Sequence, residues 1–406
     1  MKRLLALLLA ALLVVGLAAC GTSEPEPEPI DEGITVEETP APELEIEEPA
    51  DGDEWEGIPI ALITDYGTID DGSFNQGSWE GVVAYAEARG IPHQYIQPAE
   101  VSDAAYIEAI ALAIDGGAQI IVTPGFLFAT AIYEAQTLWP EVKFVLLDAV
   151  PDSGVVAEEA EDDEAEDAEE TEEVEATSTV AENTVAVLYA EQESGFLAGY
   201  AAVMEGHRSL GFIGGIAVPA VVLFGTGFVE GAEYAATNLG LGEGEVTVNY
   251  AYAGTFSMSP EVQTMAASWF NDGVEVIFAA AGGAGFSVFA AAEAAGALAI
   301  GVDIDQAGAS ETVLTSALKE LQNSVYSIIS DFFDGNFPGG QTKMFDASLN
   351  GVGLPMETSR FENFTLEQYV DIFSQLANGT ITLSTAVGAE AHLGLNLELV
   401  EVISVG

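Results

Sequence analysis

The chain reads as an α/β protein of two Rossmann-like lobes, each a parallel sheet with helices on both faces. Three observations predict this. Short apolar runs of strand length alternate with helix-length segments from Ile58 onward, which is the pattern of βα units. The alternation runs twice, once up to Asp148 and again from Val185, with an acidic tract between. At 406 residues and 49% hydrophobic content the chain can bury two ordinary cores.

Taken in order, Lys2 and Arg3 precede a continuous apolar run from Leu4 to Ala19, and Leu17-Ala18-Ala19-Cys20 has the form of a lipobox. Residues 1–20 read as a signal peptide whose cleavage exposes Cys20 for lipid attachment. The run is sixteen residues, short for a bilayer span. Residues 21–57 alternate Glu, Pro, Asp and small residues. High like charge and repeated proline keep such a segment extended, so it serves as a tether.

Lobe one is expected over 58–183. Its strands are Ile60–Ile63, 92–96, 119–123 and 143–147, and its helices run from about Ser73 through Tyr85, around Trp79 to Arg89, over 104–116 and over 128–138. An insertion over 152–183 carries EEAEDDEAEDAEETEEVEA, a like-charge block without a basic residue. A solvated loop or fraying helix without ligand function is expected there, with calcium binding as the alternative, although EF-hand spacing is missing. Lobe two is expected over 184–312, opening on the strand Val185–Tyr189, with 313–340 returning to lobe one and 341–406 completing lobe two and the tail.

The charge narrows the function. Acidic residues number 67 against 8 bases, a net charge of −59, which leaves almost no cationic surface for phosphates. Nucleic acid and direct adhesion to an anionic membrane surface are therefore excluded. Such acidity suits a saline habitat, although the two acidic tracts raise the total. Cys20 is the lone cysteine, so no disulfide forms. His93, His207 and His392 are scattered, and no P-loop or HExxH string occurs. No catalytic residue, metal or cofactor is expected, and recognition is left as the task.

The stretch most suited to recognition is Ile60–Gly81, IALITDYGTIDDGSFNQGSWEG. It is a strand, a loop and a helix start, and in open parallel sheets such loops at the carboxyl ends of strands form the ligand crevice. Thr64-Asp65, Ile69-Asp70-Asp71 and Ser73-Phe74-Asn75-Gln76, closed by Gly81, resemble the first binding loop of the basic membrane protein (PnrA-like) family of bacterial lipoproteins. The likeness continues through FVLLDAVP (144–151), GFLAGY (195–200), GGIAVPAVVLFGTGFVEG (214–231), Ala280–Gly285, GVDIDQ (301–306) and LTSALK (314–319).

The resemblance implies a type I periplasmic binding protein fold, with crossover hinge strands between the lobes, and a nucleoside-binding receptor of an ABC importer. It also implies a permease and an ATPase as partners and a lipid-anchored place on the extracytoplasmic face of the cell membrane; a monomer is expected. Carried over residue by residue, the binding positions are Asp65, Phe74, Asn75, Asp148, Phe224, Gly283, Asp303 and Lys319.

Their chemistry suits a nucleoside, and one of the purine type is expected. Phe74 and Phe224 can stack on a planar base, worth about 1–3 kcal/mol per base. Asp148, with Asp65 or Asn75, is assigned to base N–H groups and Asp303 to ribose hydroxyls, while Lys319 balances Asp303 and donates to a ribose oxygen. Asp70 and Asp71 are expected to shape the turn and cap the helix. Singly, a Phe opening a helix usually packs in a core and an Asp after a strand usually caps a helix; the combined order makes the set. Riboflavin or a sugar remains open within the same fold. So does a nicotinamide-dependent enzyme using the Gly282–Gly285 loop, although Val288 and Phe289 stand where a third glycine belongs. A non-transport sensor that passes its closed state to a membrane partner is a further alternative.

Overall fold

The computed structural model describes residues 57–154 and 177–405. The expected signal peptide, Cys20, the tether and the centre of the acidic insertion lie outside the described residues.

The first sheet is built from β1 (Ile60–Ile63), β2 (His93–Ile96), β3 (Ile120–Pro124), β4 (Lys143–Leu147) and β5 (Thr184–Tyr189), interleaved with α1 (Phe74–Arg89), α2 (Asp103–Asp115) and α3 (Ala129–Leu138). The chain then enters a second set: α4 (Glu191–Glu205), β6 (Ser209–Gly214), α5 (Pro219–Leu239), β7 (Val246–Tyr252), α6 (Pro260–Asn271), β8 (Val276–Ala280), α7 (Gly285–Ala295), β9 (Leu298–Asp303) and β10 (Val313–Lys319). It finishes with α8 (Leu321–Phe333), β11 (Gln341–Phe345), β12 (Val352–Gly353), α9 (Leu366–Ala377) and β13 (Val400–Ser404).

The strands form a six-stranded sheet of order β11-β5-β4-β3-β1-β2 and a seven-stranded sheet of order β12-β10-β9-β8-β6-β7-β13. Every pairing is parallel except β10 with β12. Strands covered on both faces must be apolar throughout, which is why β1 reads IALI and β8 VIFAA with every residue buried.

The pairings move three lobe boundaries. Strand β5, expected to open lobe two, pairs with β4 and β11 in the first sheet. Strand β10, expected to begin the return at 313, pairs with β9 in the second sheet, and the return begins at α8, which packs on α1. Strand β11, placed with lobe two from 341, lies in the first sheet. The chain thus crosses between lobes three times, at Ala190–Glu191, at Glu320 and over 346–351. The crossings are tied together: Ala190 N donates to Phe345 O at 3.0 Å, and Glu320 N to Gly351 O at 3.0 Å.

Two of the glycine-rich strings join helix to helix. A Cβ on Gly195 or Gly199 of α4 would lie 2.2 or 2.0 Å from the carbonyl oxygens of Phe224 and Phe228 on α5. The side-chain-free faces let the two helix backbones touch and fix the height at which Phe224 stands. Helix α5 begins at Pro219, because proline suits the first helical turn.

Among the described residues 39 acids still face six bases, so the acidity is a property of the folded body as well as of the tracts. No helix among the described residues is long and apolar enough to cross a membrane.

Candidate functional site

A cavity of about 690 Å³ lies between the two sheets, within the size range of small-molecule sites. It is bounded by the carboxyl ends of strands from both lobes, as the topology of parallel sheets dictates. Lobe one supplies the loop after β1, Phe126 after β3 and Asp148 after β4; lobe two supplies the start of α5, Phe256 to Met258 after β7, Gly282 and Gly283 after β8, Asp303 and Lys319. All eight residues singled out in the sequence line it.

The first loop is a hydrogen-bonded frame. Asp71 caps α1, accepting from the backbone N–H of Ser73 (2.9 Å), Asn75 (3.1 Å) and Gln76 (3.0 Å). Asn75 is buried, and its Nδ2 donates to Asp65 Oδ1 and Asp71 Oδ2, both at 2.9 Å. Its Oδ1 accepts from Asp65 N at 3.4 Å. The amide that was a candidate for reading a base is thus committed to holding Asp65 in place. Burial raises the Asp65 carboxyl above its usual range, against the hydrogen bond from Asn75.

Two aromatic rings face the cavity from opposite lobes, Phe74 at the first turn of α1 and Phe224 on α5. Phe224 is braced edge-on by Phe278, with centroids 5.8 Å apart at 86°. Both rings flank the Lys319 ammonium, whose Nζ sits 4.8 Å from the Phe74 centroid and 5.3 Å from that of Phe224.

Lys319 is 2% exposed at its side chain and is surrounded by carboxylates. Asp148 Oδ2 is its closest partner, with Glu191 Oε1 at 3.3 Å and Asp303 Oδ1 at 3.8 Å. The expected balance with Asp303 is present, but Asp148 and Glu191 lie closer. Burial alone would lower the Lys319 pKa; the three carboxylates outweigh it and raise it. Burial raises Asp303 as well, opposed by Lys319 and by the hydrogen bond from Ser73.

Asp148 and Asp303 end equivalent strands in the two lobes, and both take positive φ, 59° and 68°. A non-glycine residue pays about 1–3 kcal/mol for such a conformation, and residues of this kind cluster at functional sites. Asp148 Oδ1, buried at the cavity wall, has no hydrogen-bond partner among the described residues.

The lobes are in contact across the cleft. Ser73 Oγ donates to Asp303 Oδ2 at 2.5 Å, and Gln306 Nε2 to Gly72 O at 2.7 Å. At the mouth, Ser257 Oγ donates to Tyr66 OH at 3.0 Å. Sequence reasoning passed over Ser73 as a bridging residue, the wall residues Phe126, Phe256 and Phe286, and Glu191. Phe126, Phe256 and Glu191 each follow a strand closely, and that position was the signal available. Val288 and Phe289 are buried in the packing of α7, so the third glycine of a dinucleotide loop is replaced by core.

Residues 58–385 match the family described as ABC transporter substrate-binding protein PnrA-like. The chain is 28% identical over 351 residues to the ABC transporter nucleoside-binding protein BmpA of Lactococcus lactis subsp. cremoris, covering 80% of this chain and 89% of that one. It is 26% identical to basic membrane protein D of Borreliella burgdorferi, over 82% and 89% of the two chains. In fold it is similar to a solute-binding protein of an ABC transporter system from Aeropyrum pernix K1, with a TM-score of 0.65, 22% identity and coverage of 83% and 96%.

Proposed function

The chain belongs to the family of PnrA-like ABC transporter substrate-binding proteins, and from that premise we propose that its substrate is a nucleoside, held between the lobes by its base and its pentose. It is a substrate-binding component of an ABC importer and not an enzyme. The observation that carries the substrate reading is a single cavity lined by two Phe rings from opposite lobes and by carboxylates from both, one of them with an unpartnered buried oxygen.

Phe74 and Phe224 stack on the two faces of the base, a sequence-tolerant interaction of about 1–3 kcal/mol. Asp148 Oδ1 and Asp65 accept from base N–H groups. Asn75 holds Asp65 rather than touching the ligand. Asp303 accepts from ribose hydroxyls, Lys319 fixes both aspartates, and Gly283 lets the sugar approach the backbone after β8. The name of the Lactococcus relative supports the ligand class.

Phosphorylated ligands are disfavoured by charge. Five aspartates line the cavity with one base, Lys319, whose charge is already paired. A nucleotide or a nicotinamide dinucleotide would bring anionic groups into a site with no free cation to meet them.

The lipobox at Cys20 supports anchoring on the extracytoplasmic face of the membrane, from which the closed lobes present the nucleoside to a permease coupled to an ATPase. Calorimetric titration of the full chain with adenosine, guanosine, inosine, cytidine, riboflavin, ribose, AMP and NADH tests the reading. Saturable heat with nucleosides and none with AMP or NADH is expected. Heat with riboflavin or ribose alone, or tight binding of AMP, overturns it.

A further inference from the structure

Glu191 is buried, yet it does not line the cavity. It opens α4 at the first crossover, directly after β5, and its carboxyl reaches Lys319 Nζ at 3.3 Å. Lys319 closes β10 at the second crossover. The pair therefore joins two of the three segments on which the lobes turn, and it does so behind the cavity wall, while Asp148 approaches the same ammonium from lobe one. We propose, on the basis of the nucleoside reading above, that Glu191 is a positioning residue of the site, fixing the Lys319 ammonium from behind and making ligand affinity depend on pH through its own proton.

The charges around Glu191 are all identifiable. Lys319 faces it from β10, Asp148 from the end of β4, Tyr189 from β5, and Asp303 shares the same ammonium from β9. Burial pushes the Glu191 carboxyl up to about 8; the Lys319 ammonium opposes this and Asp148 adds to it. The carboxyl therefore holds its proton to higher pH than an ordinary glutamate, and while protonated it accepts from Lys319 as a neutral group. Asp148 and Asp303 are left as the ammonium's charged partners. Ionised, Glu191 competes with them for Lys319 and adds negative charge to a cluster that a bound, neutral ligand seals from water. Binding is then linked to the protonated form.

Two measurements on the full chain test this. Adenosine neither gains nor loses a proton between pH 6.5 and about 9.5. If the protonated form alone is competent, wild-type affinity for adenosine falls about thirtyfold at pH 9.5, the fraction that a group titrating at about 8 leaves competent. Glu191→Gln, a neutral isostere that still accepts from Lys319, keeps its affinity within about twofold over the range. The second readout needs no ligand. A carboxyl whose pKa is higher folded than unfolded withdraws stability as pH rises from its unfolded value through its folded one. The melting temperature of Glu191→Gln therefore gains on wild type between pH 5 and 8 and holds its lead above. A wild-type affinity flat to pH 9.5, an equal fall in the glutamine variant, or a melting difference independent of pH overturns the proposal. Absence of adenosine binding at every pH, with the melting difference as expected, removes the nucleoside reading and the affinity linkage with it, and leaves Glu191 as a proton-holding hinge residue only.

Discussion

Lys319→Met is the sharpest perturbation of the packing beneath the site. The substitution keeps a long side chain among Phe74, Tyr189 and Phe224 but removes the one cation within 3.8 Å of the carboxylates of Asp148, Glu191 and Asp303. Removing one partner of a buried ion pair costs about 3–5 kcal/mol, because the remaining charge is left desolvated. Here three carboxyls share the loss, and protonation limits it. The sign with pH follows from linkage. Without the ammonium the burial that raises Glu191 and Asp303 is unopposed, so the variant loses stability as pH rises from the unfolded range, about 4, upward. Urea unfolding followed by circular dichroism and tryptophan fluorescence should give a deficit of about 3–5 kcal/mol at pH 8 that narrows at pH 5. A variant within about 1 kcal/mol of wild type at pH 8, or a deficit unchanged at pH 5, would refute the claim that this cluster is held by charge.

Phe74→Ala and Asp303→Ala are each expected to weaken adenosine binding by about tenfold or more in calorimetry, from the stacking and hydrogen-bond values above; unchanged affinity in both removes the site assignment. Ser257→Ala deletes the hydrogen bond at the cleft mouth. A loss of about 0.5–1.5 kcal/mol should speed ligand release by about two- to tenfold in stopped-flow traces, with the association rate unchanged. With 39 acids against six bases among the described residues, salt screens self-repulsion, so the melting temperature should climb as sodium chloride is raised from about 0.05 to 1 M. A flat profile would show that the surface charges are too far apart to matter.

The two-lobed α/β architecture was legible because buried parallel strands such as Ile60–Ile63 and Val276–Ala280 must be apolar throughout and are separated by helix-length segments. The eight candidate residues meet in one cavity for a related reason: each lies at or near the carboxyl end of a strand, or, as with Phe224, on the helix that follows one. Lobe membership was not legible. Nothing in VAVLY says that β5 pairs with β4 rather than with β6, because pairing is a long-range choice between equally apolar partners. The same misplacement hid Glu191, whose position after β5 puts it at a crossover. Asn75, a binding position by resemblance, lines the cavity. That the amide is already committed to Asp65 and Asp71 depends on loop geometry that composition does not encode. The glycines of GFLAGY belong to the α4–α5 contact and not to the ligand, a distinction that required both helices in place.

The central claim is that a flat base lies between one ring from each lobe with its sugar on Asp303. A crystal structure of the chain grown with adenosine tests it most directly. The account predicts the purine between Phe74 and Phe224, a base nitrogen within hydrogen-bond distance of Asp148 Oδ1 and the ribose hydroxyls on the Asp303 carboxylate. A base lying against Phe126 or Phe256 with Phe74 and Phe224 untouched, or a ribose turned toward Asp65, would contradict it.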